Sequence, residues 1–162
     1  MKAAILSVLA LALAACSGVR SIHPKGEVVQ IRQSRGLASA AVIGPTTLLT
    51  VAHAVDRHGE IRALGKTARV TGVIRGNPED LVVLEVDSAD YESSFVLGGS
   101  APVVAHTLRR SFLVKDWTPI PGDSGSPVVD REGRLVGLVW GYDSQKRLVV
   151  ARPVLDERRL AQ

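Results

Sequence analysis

From Glu27 onward the chain breaks into short apolar or alternating segments separated by turn residues, and no stretch sustains a helical period of useful length. That pattern confines the fold to β architectures and argues against α/β. Strands are predicted near 27–33, 37–43, 46–51, 61–65, 68–75 and 80–86, with Gly44-Pro45, His58-Gly59 and Gly76-Asn77-Pro78 as the clearest breaks. The polar run from Asp87 to Ser94 reads as a linker. A second set is predicted near 95–98, 102–108, 111–116, 127–130, 134–140 and 147–152, and Pro153 to Gln162 fits a short C-terminal helix. Two such groups predict an all-β protein of two small antiparallel barrels or sandwich-like halves, residues 26–87 and 95–155.

The core must be built mainly from Val, Leu, Ile and Ala, because aromatic residues make up only 4% of the chain. A single cysteine cannot pair within the chain, so no disulfide supports the fold. The net charge of +4 is scattered, its longest basic clusters being Arg109-Arg110 and Arg158-Arg159, which gives nucleic-acid binding little support. His23, His58 and His106 have no carboxylate or cysteine partners at metal-ligand spacing. No metal and no cofactor are expected.

Met1-Lys2 precedes an apolar run from Ala3 to Ala15, too short to span a bilayer as a helix and of the length of an export signal. The run ends in Leu13-Ala14-Ala15-Cys16, which resembles the lipobox of bacterial lipoproteins; an ordinary secretory signal is the plainer alternative. The lipobox implies a signal over residues 1–15, a lipid-modified Cys16 and a tether over 16–25 that holds the domain near the membrane. Ser17 in place of aspartate resembles the sorting pattern for the outer membrane, facing the periplasm.

Pro121-Gly122-Asp123-Ser124-Gly125-Ser126-Pro127-Val128-Val129 is a tight polar loop running into an apolar strand. A serine there suits a nucleophile, which needs a base, an orienter for the base and donors for an oxyanion. Gly122 and Gly125 free the backbone to aim the amides of Gly122 and Ser124 at one point. Two earlier stretches supply the remaining parts: Thr50-Val51-Ala52-His53 ends an apolar run in a histidine, and Asp80-Leu81-Val82-Val83-Leu84 opens a strand with a carboxylate. Glu79 and Asp56 compete with Asp80 for the orienting role. The order His, Asp, Ser is that of chymotrypsin-type enzymes, and Ser126 in place of glycine excludes the α/β-hydrolase elbow.

On these three motifs, together with Leu135-Val136-Gly137-Leu138-Val139-Trp140-Gly141, the chain resembles the trypsin/chymotrypsin-like serine peptidases, especially their small bacterial members. The resemblance implies a serine endopeptidase acting on peptide or protein substrates through an acyl-enzyme, with His53 as general base, Asp80 as its orienter and Ser124 as nucleophile. It implies an oxyanion hole from Gly122 and Ser124, a substrate-binding strand at Val139, Trp140 and Gly141, and Thr118 at the floor of the primary pocket. Threonine there offers no charge for Lys or Arg, which favours a small or medium apolar side chain, with Leu148 narrowing the pocket. Animal members of the family pair the position of Asp123 with a freed amino terminus. A lipid-modified terminus cannot serve, so Asp123 needs another partner. The chain is short for two barrels, which implies trimmed loops. Two alternatives stand beside the peptidase: a peptidase-like binding module with negligible hydrolysis, and an esterase.

Overall fold

Strict alternation shapes the first strand, β1 (Val28–Gln33): Val29 and Ile31 point into a core while Gln30 and Arg32 face water. In the computed structural model, which describes residues 22, 26–75, 81–87, 91, 93–98, 102–141 and 149–151, five more strands follow in the first half. They are β2 (Gly36–Val42), β3 (Thr47–Val51), β4 (Ile61–Ala63), β5 (Lys66–Ile74) and β6 (Leu81–Val86). All pair antiparallel and close into a barrel of order β1-β2-β3-β6-β5-β4, sealed by β4 against β1. The register sets Ile31, Leu48 and Leu84 on one face, fully buried, and Leu49 and Leu81 on the opposite face, fully buried as well. Each such side chain stabilises the fold by roughly 1.5–3 kcal/mol relative to exposure, an upper estimate because the unfolded chain already buries some surface.

The second half consists of β7 (Val104–His106), β8 (Ser111–Leu113), β9 (Pro127–Val129), β10 (Leu135–Gly141) and β11 (Val149–Ala151). Among the described residues they form one antiparallel sheet, β11-β10-β9-β7-β8, with β8 and β11 at its edges. A closed barrel followed by this second antiparallel sheet is the all-β fold of two halves expected from the sequence. The shortness of this half shows locally. The segment 95–98 contributes a single parallel bridge, Leu97 to Leu135, and sends Phe95 into the first barrel's core. The expected strand 102–108 stops at His106, because the Thr107 hydroxyl accepts the amides of Arg109 and Arg110 and turns the chain. The expected strand 111–116 ends at Leu113 and continues as a 3-10 turn, Val114–Asp116.

β9 and β10 join the halves. Val129, Leu135 and Leu138 belong to the barrel's core, while Val128, Val136 and Val139 pack with Ala105 and Trp117 in a smaller cluster. The loop between β8 and β9 is therefore held between two cores. Among the described residues no helix is long and apolar enough to cross a membrane. The signal, Cys16, most of the tether, the C-terminal helix, Leu148 and Asp80 lie outside the described residues.

Candidate active site

His53 sits on a single 3-10 turn, Ala52–Ala54, directly after β3. Its backbone is held from the side by β1: the Gln33 amide donates to the Ala54 carbonyl, and the Gln33 carbonyl oxygen accepts the Asp56 amide at 2.7 Å. The imidazole is exposed, and Trp140 meets it edge-on with ring centroids 6.2 Å apart. His53 Nε2 lies 3.3 Å from Ser124 Oγ. That is hydrogen-bond contact at the long end of the range, as in sites without bound substrate.

Ser124 lies in a turn flanked by two glycines of positive φ, Gly122 at +96° and Gly125 at +86°. The turn is clamped from both halves of the molecule. From the barrel, the Ser39 amide donates to the Ser124 carbonyl at 2.8 Å, and Ser39 Oγ donates to the Gly122 carbonyl at 2.8 Å. From the sheet, the Gly125 amide donates to the Val139 carbonyl at 2.7 Å, and the Val139 amide to the Ser126 carbonyl at 2.8 Å. A Cβ on Gly125 would stand 2.0 Å from the Ser39 carbonyl oxygen and 2.3 Å from Thr50 Oγ1, so only glycine lets the turn come this close. Among the described residues neither the Gly122 nor the Ser124 amide donates to a backbone carbonyl, and the space beside Gly122 is open. Such amides are suited to receive a developing oxyanion.

Asp123, 4% exposed, faces inward. Its Oδ2 accepts the Ile120 amide and the Arg109 guanidinium, each at 2.9 Å. Arg109 is thus the partner that this carboxylate needs. Sequence reasoning registered Arg109-Arg110 only as a basic cluster. Gln33 and Ser39 gave no signal either.

Among the carboxylates considered for orienting His53, Asp56 is committed elsewhere. It accepts the His58 amide at 3.1 Å and the Ser34 hydroxyl at 3.3 Å, with Arg35 at 3.9 Å. The His58 amide first, then the Ser34 hydroxyl and the Arg35 charge, hold its carboxyl below the usual range, with partial burial opposing them. Asp80 and Glu79 lie outside the described residues; the ladder sets Leu81, next after Asp80 in sequence, opposite Val51, two residues before His53.

Thr118 is exposed, directly after buried Trp117. Val139 is fully buried with both backbone groups engaged in the clamp, so the less occupied end of β10 begins at Trp140 and Gly141. Nothing lies within 4 Å of where a side chain on Gly141 would project. Among the described residues no cluster of His, Cys, Asp or Glu could hold a metal.

No family model and no curated protein matches the chain. Solved structures do match. The chain is similar to the Rv3671c protease of M. tuberculosis in its inactive form, at 20% identity and a TM-score of 0.57, over 93% of this chain and 94% of that one. It is similar to a human pathogenic astrovirus serine protease, at 14% identity and a TM-score of 0.56, over 85% of this chain and 98% of that one. A third likeness is to the serine endoprotease from Yersinia pestis, at 17% identity and a TM-score of 0.52, over 83% of this chain and 59% of that one. At these identities the likeness is one of fold, the trypsin-like β fold of serine proteases.

Proposed function

We propose that the chain is a serine endopeptidase in which Ser124 attacks a peptide carbonyl and His53 takes its proton. The observation that carries this reading is the 3.3 Å approach of His53 Nε2 to Ser124 Oγ, in a turn whose Gly122 and Ser124 amides have no backbone acceptor among the described residues. His53, protonated by the attack, then gives the proton to the leaving amine, and water repeats the cycle on the acyl-enzyme. The two amides stabilise the oxyanion in both halves, a contribution of about 3–4 kcal/mol per donor in enzymes of this kind. Asp80 orients the imidazole and stabilises its charged form; its place in the sequence, one residue before Leu81, supports this role. The internal pairing of Asp123 with Arg109 favours activity over a silent binding module.

The substrate is an extended peptide laid beside Trp140 and Gly141. Thr118 itself brings no charge to select a basic side chain, which favours a small or medium apolar residue before the scissile bond. Lipid on Cys16, resembling the lipobox pattern, anchors the enzyme to the cell envelope, at the outer membrane facing the periplasm. Incubating the full-length protein with a mixture of fluorogenic peptides tests the activity. Cleavage after small or medium apolar residues, lost in Ser124→Ala, supports it, and equal turnover by Ser124→Ala refutes it.

A further inference from the structure

We infer that the outer face of the β1–β4 seam is a second binding site, which takes the carboxylates of an acidic segment following the scissile bond, with Arg32 and Arg62 as its binding residues. For the identity of that segment the inference rests on the peptidase reading; for the anion site itself it does not.

The register fixes where the site stands. Leu37 of β2 lies opposite Arg32 of β1, Arg32 opposite Arg62 of β4, and Arg62 opposite Thr67 of β5, so the four form one exposed row across four strands. The next outward residue of β1, Gln30, lies opposite Ser39, whose amide and hydroxyl hold the Ser124 turn. At about 4.8 Å between strands and about 3.4 Å per residue along them, the backbone of Arg32 is roughly 8 Å from that of Ser39, and that of Arg62 roughly 12 Å. The turn is gripped by β10 on one side and by β2 on the other. A peptide whose residues before the scissile bond lie beside Trp140 and Gly141 therefore leaves across β2 toward this row. About three to five extended residues span the gap.

The row is suited to an anion. Arg32, Arg62, Gln30, Leu64 and Gly65 line a concavity of about 450 Å³. Two guanidiniums directly opposite each other repel, and a carboxylate between them removes that repulsion while accepting forked hydrogen bonds. Among the described residues no carboxylate pairs with Arg32. Arg62 meets Glu60 at 2.8 Å, but the two side chains are 54% and 59% exposed, so the pair is weak and a ligand carboxylate exchanges for it readily. The wall of the concavity adds to this. β4 and β5 are joined by the two-residue turn Leu64-Gly65, both at positive φ, +52° and +74°, where Asn, Asp or Gly is the favoured first residue. An aspartate there would answer the arginines from within the protein. Leucine, 54% exposed, leaves their charge to a ligand and gives it an apolar side to lie against.

Two full-length proteins carry the test. Wild type is given fluorogenic peptides that differ only in bearing Glu or Gln at the third to fifth residues after the bond, and Ser124→Ala is given the same peptides labelled for fluorescence anisotropy. Wild type is expected to cleave the Glu peptide about fivefold faster by kcat/KM, chiefly through KM, and Ser124→Ala to bind it about fivefold tighter, both preferences shrinking in high salt. Arg32→Gln and Arg62→Gln bring the ratio of Glu to Gln peptide toward one, and Glu60→Gln raises it. Cleavage of both peptides at the same rate overturns the site and keeps the peptidase reading, and a preference that both arginine variants retain overturns it as well. Arg32-dependent sedimentation with phosphatidylglycerol vesicles, in place of any peptide preference, overturns it too and gives the face to a membrane. A protein that cleaves neither peptide, yet binds the Glu peptide through Arg32, keeps the anion site and removes the peptidase reading.

Discussion

The Ser39 amide donates to the carbonyl of Ser124 at 2.8 Å, so the barrel's second strand holds the candidate nucleophile in place across the boundary between the halves. Ser39 adds a second tie through its hydroxyl to the Gly122 carbonyl. Ser39→Ala removes the second tie alone. The expected outcome is a stability loss of about 1 kcal/mol by denaturant unfolding, with a several-fold drop in Ser124 reactivity.

Gly125 and Gly65 make a matched pair, since both have positive φ, +86° and +74°. Around Gly65 there is open space, whereas a Cβ on Gly125 meets the Ser39 carbonyl oxygen and Thr50 Oγ1. Gly65→Ala is expected to cost about 1 kcal/mol from backbone strain alone, and Gly125→Ala several kcal/mol together with all Ser124 reactivity. Thermal unfolding of the two variants separates strain from collision.

Gln33 bridges the Ala54 carbonyl and the Asp56 amide on either side of buried Val55, just beyond His53. In Gln33→Ala the turn loses two hydrogen bonds, about 1–2 kcal/mol, and the base loses its fixed approach to Ser124. Steady-state kinetics should show kcat falling about tenfold with KM little changed, because positioning of the base matters to the chemical step. An unchanged kcat would contradict the assignment.

Asp56 sets an acid limit. Its carboxyl is held below the usual range in the folded state, so the stability it contributes is present above about pH 3.9, the ordinary aspartate value, and is lost as pH falls through the lower folded value. Thermal midpoints measured from pH 2 to 6 should converge for the wild type and Asp56→Asn at the acid end. Above pH 4 the wild type should be the more stable.

Arg32 faces Arg62 directly across the β1–β4 seam, and with Gln30, Leu64 and Gly65 they line a concavity of about 450 Å³. Glu60 pairs with Arg62 at 2.8 Å; among the described residues no carboxylate pairs with Arg32. Like charges opposite each other destabilise a ladder, so Arg32→Glu should stabilise the protein by about 0.5–1 kcal/mol, an effect that shrinks in high salt.

What the sequence made legible follows from the range of each interaction. β1, β3, β5 and β6 stood out because alternation or continuous apolar runs are written locally, as at Val29 and Ile31 or Leu48 and Leu49. The motifs around His53 and Ser124 were legible for the same reason, each being a short run of neighbours. The residues that hold those motifs were not. Arg109, Gln33 and Ser39 bond side chain to partners 14, 21 and 83 positions away, and a single polar residue with a distant partner leaves no period to read. In the second half two strands end sooner than expected, at His106 and Leu113, because the Thr107 hydroxyl and the 3-10 turn close the ladders there, and a turn made by one side-chain hydrogen bond leaves no period to read.

The central claim is that Ser124 is a nucleophile activated by His53. Treating the folded full-length protein with a fluorophosphonate and locating the adduct by mass spectrometry tests it most directly. An adduct on Ser124, absent in Ser124→Ala and strongly reduced in His53→Ala, is the predicted result. A folded protein that takes no adduct, or takes it equally without His53, would contradict the account.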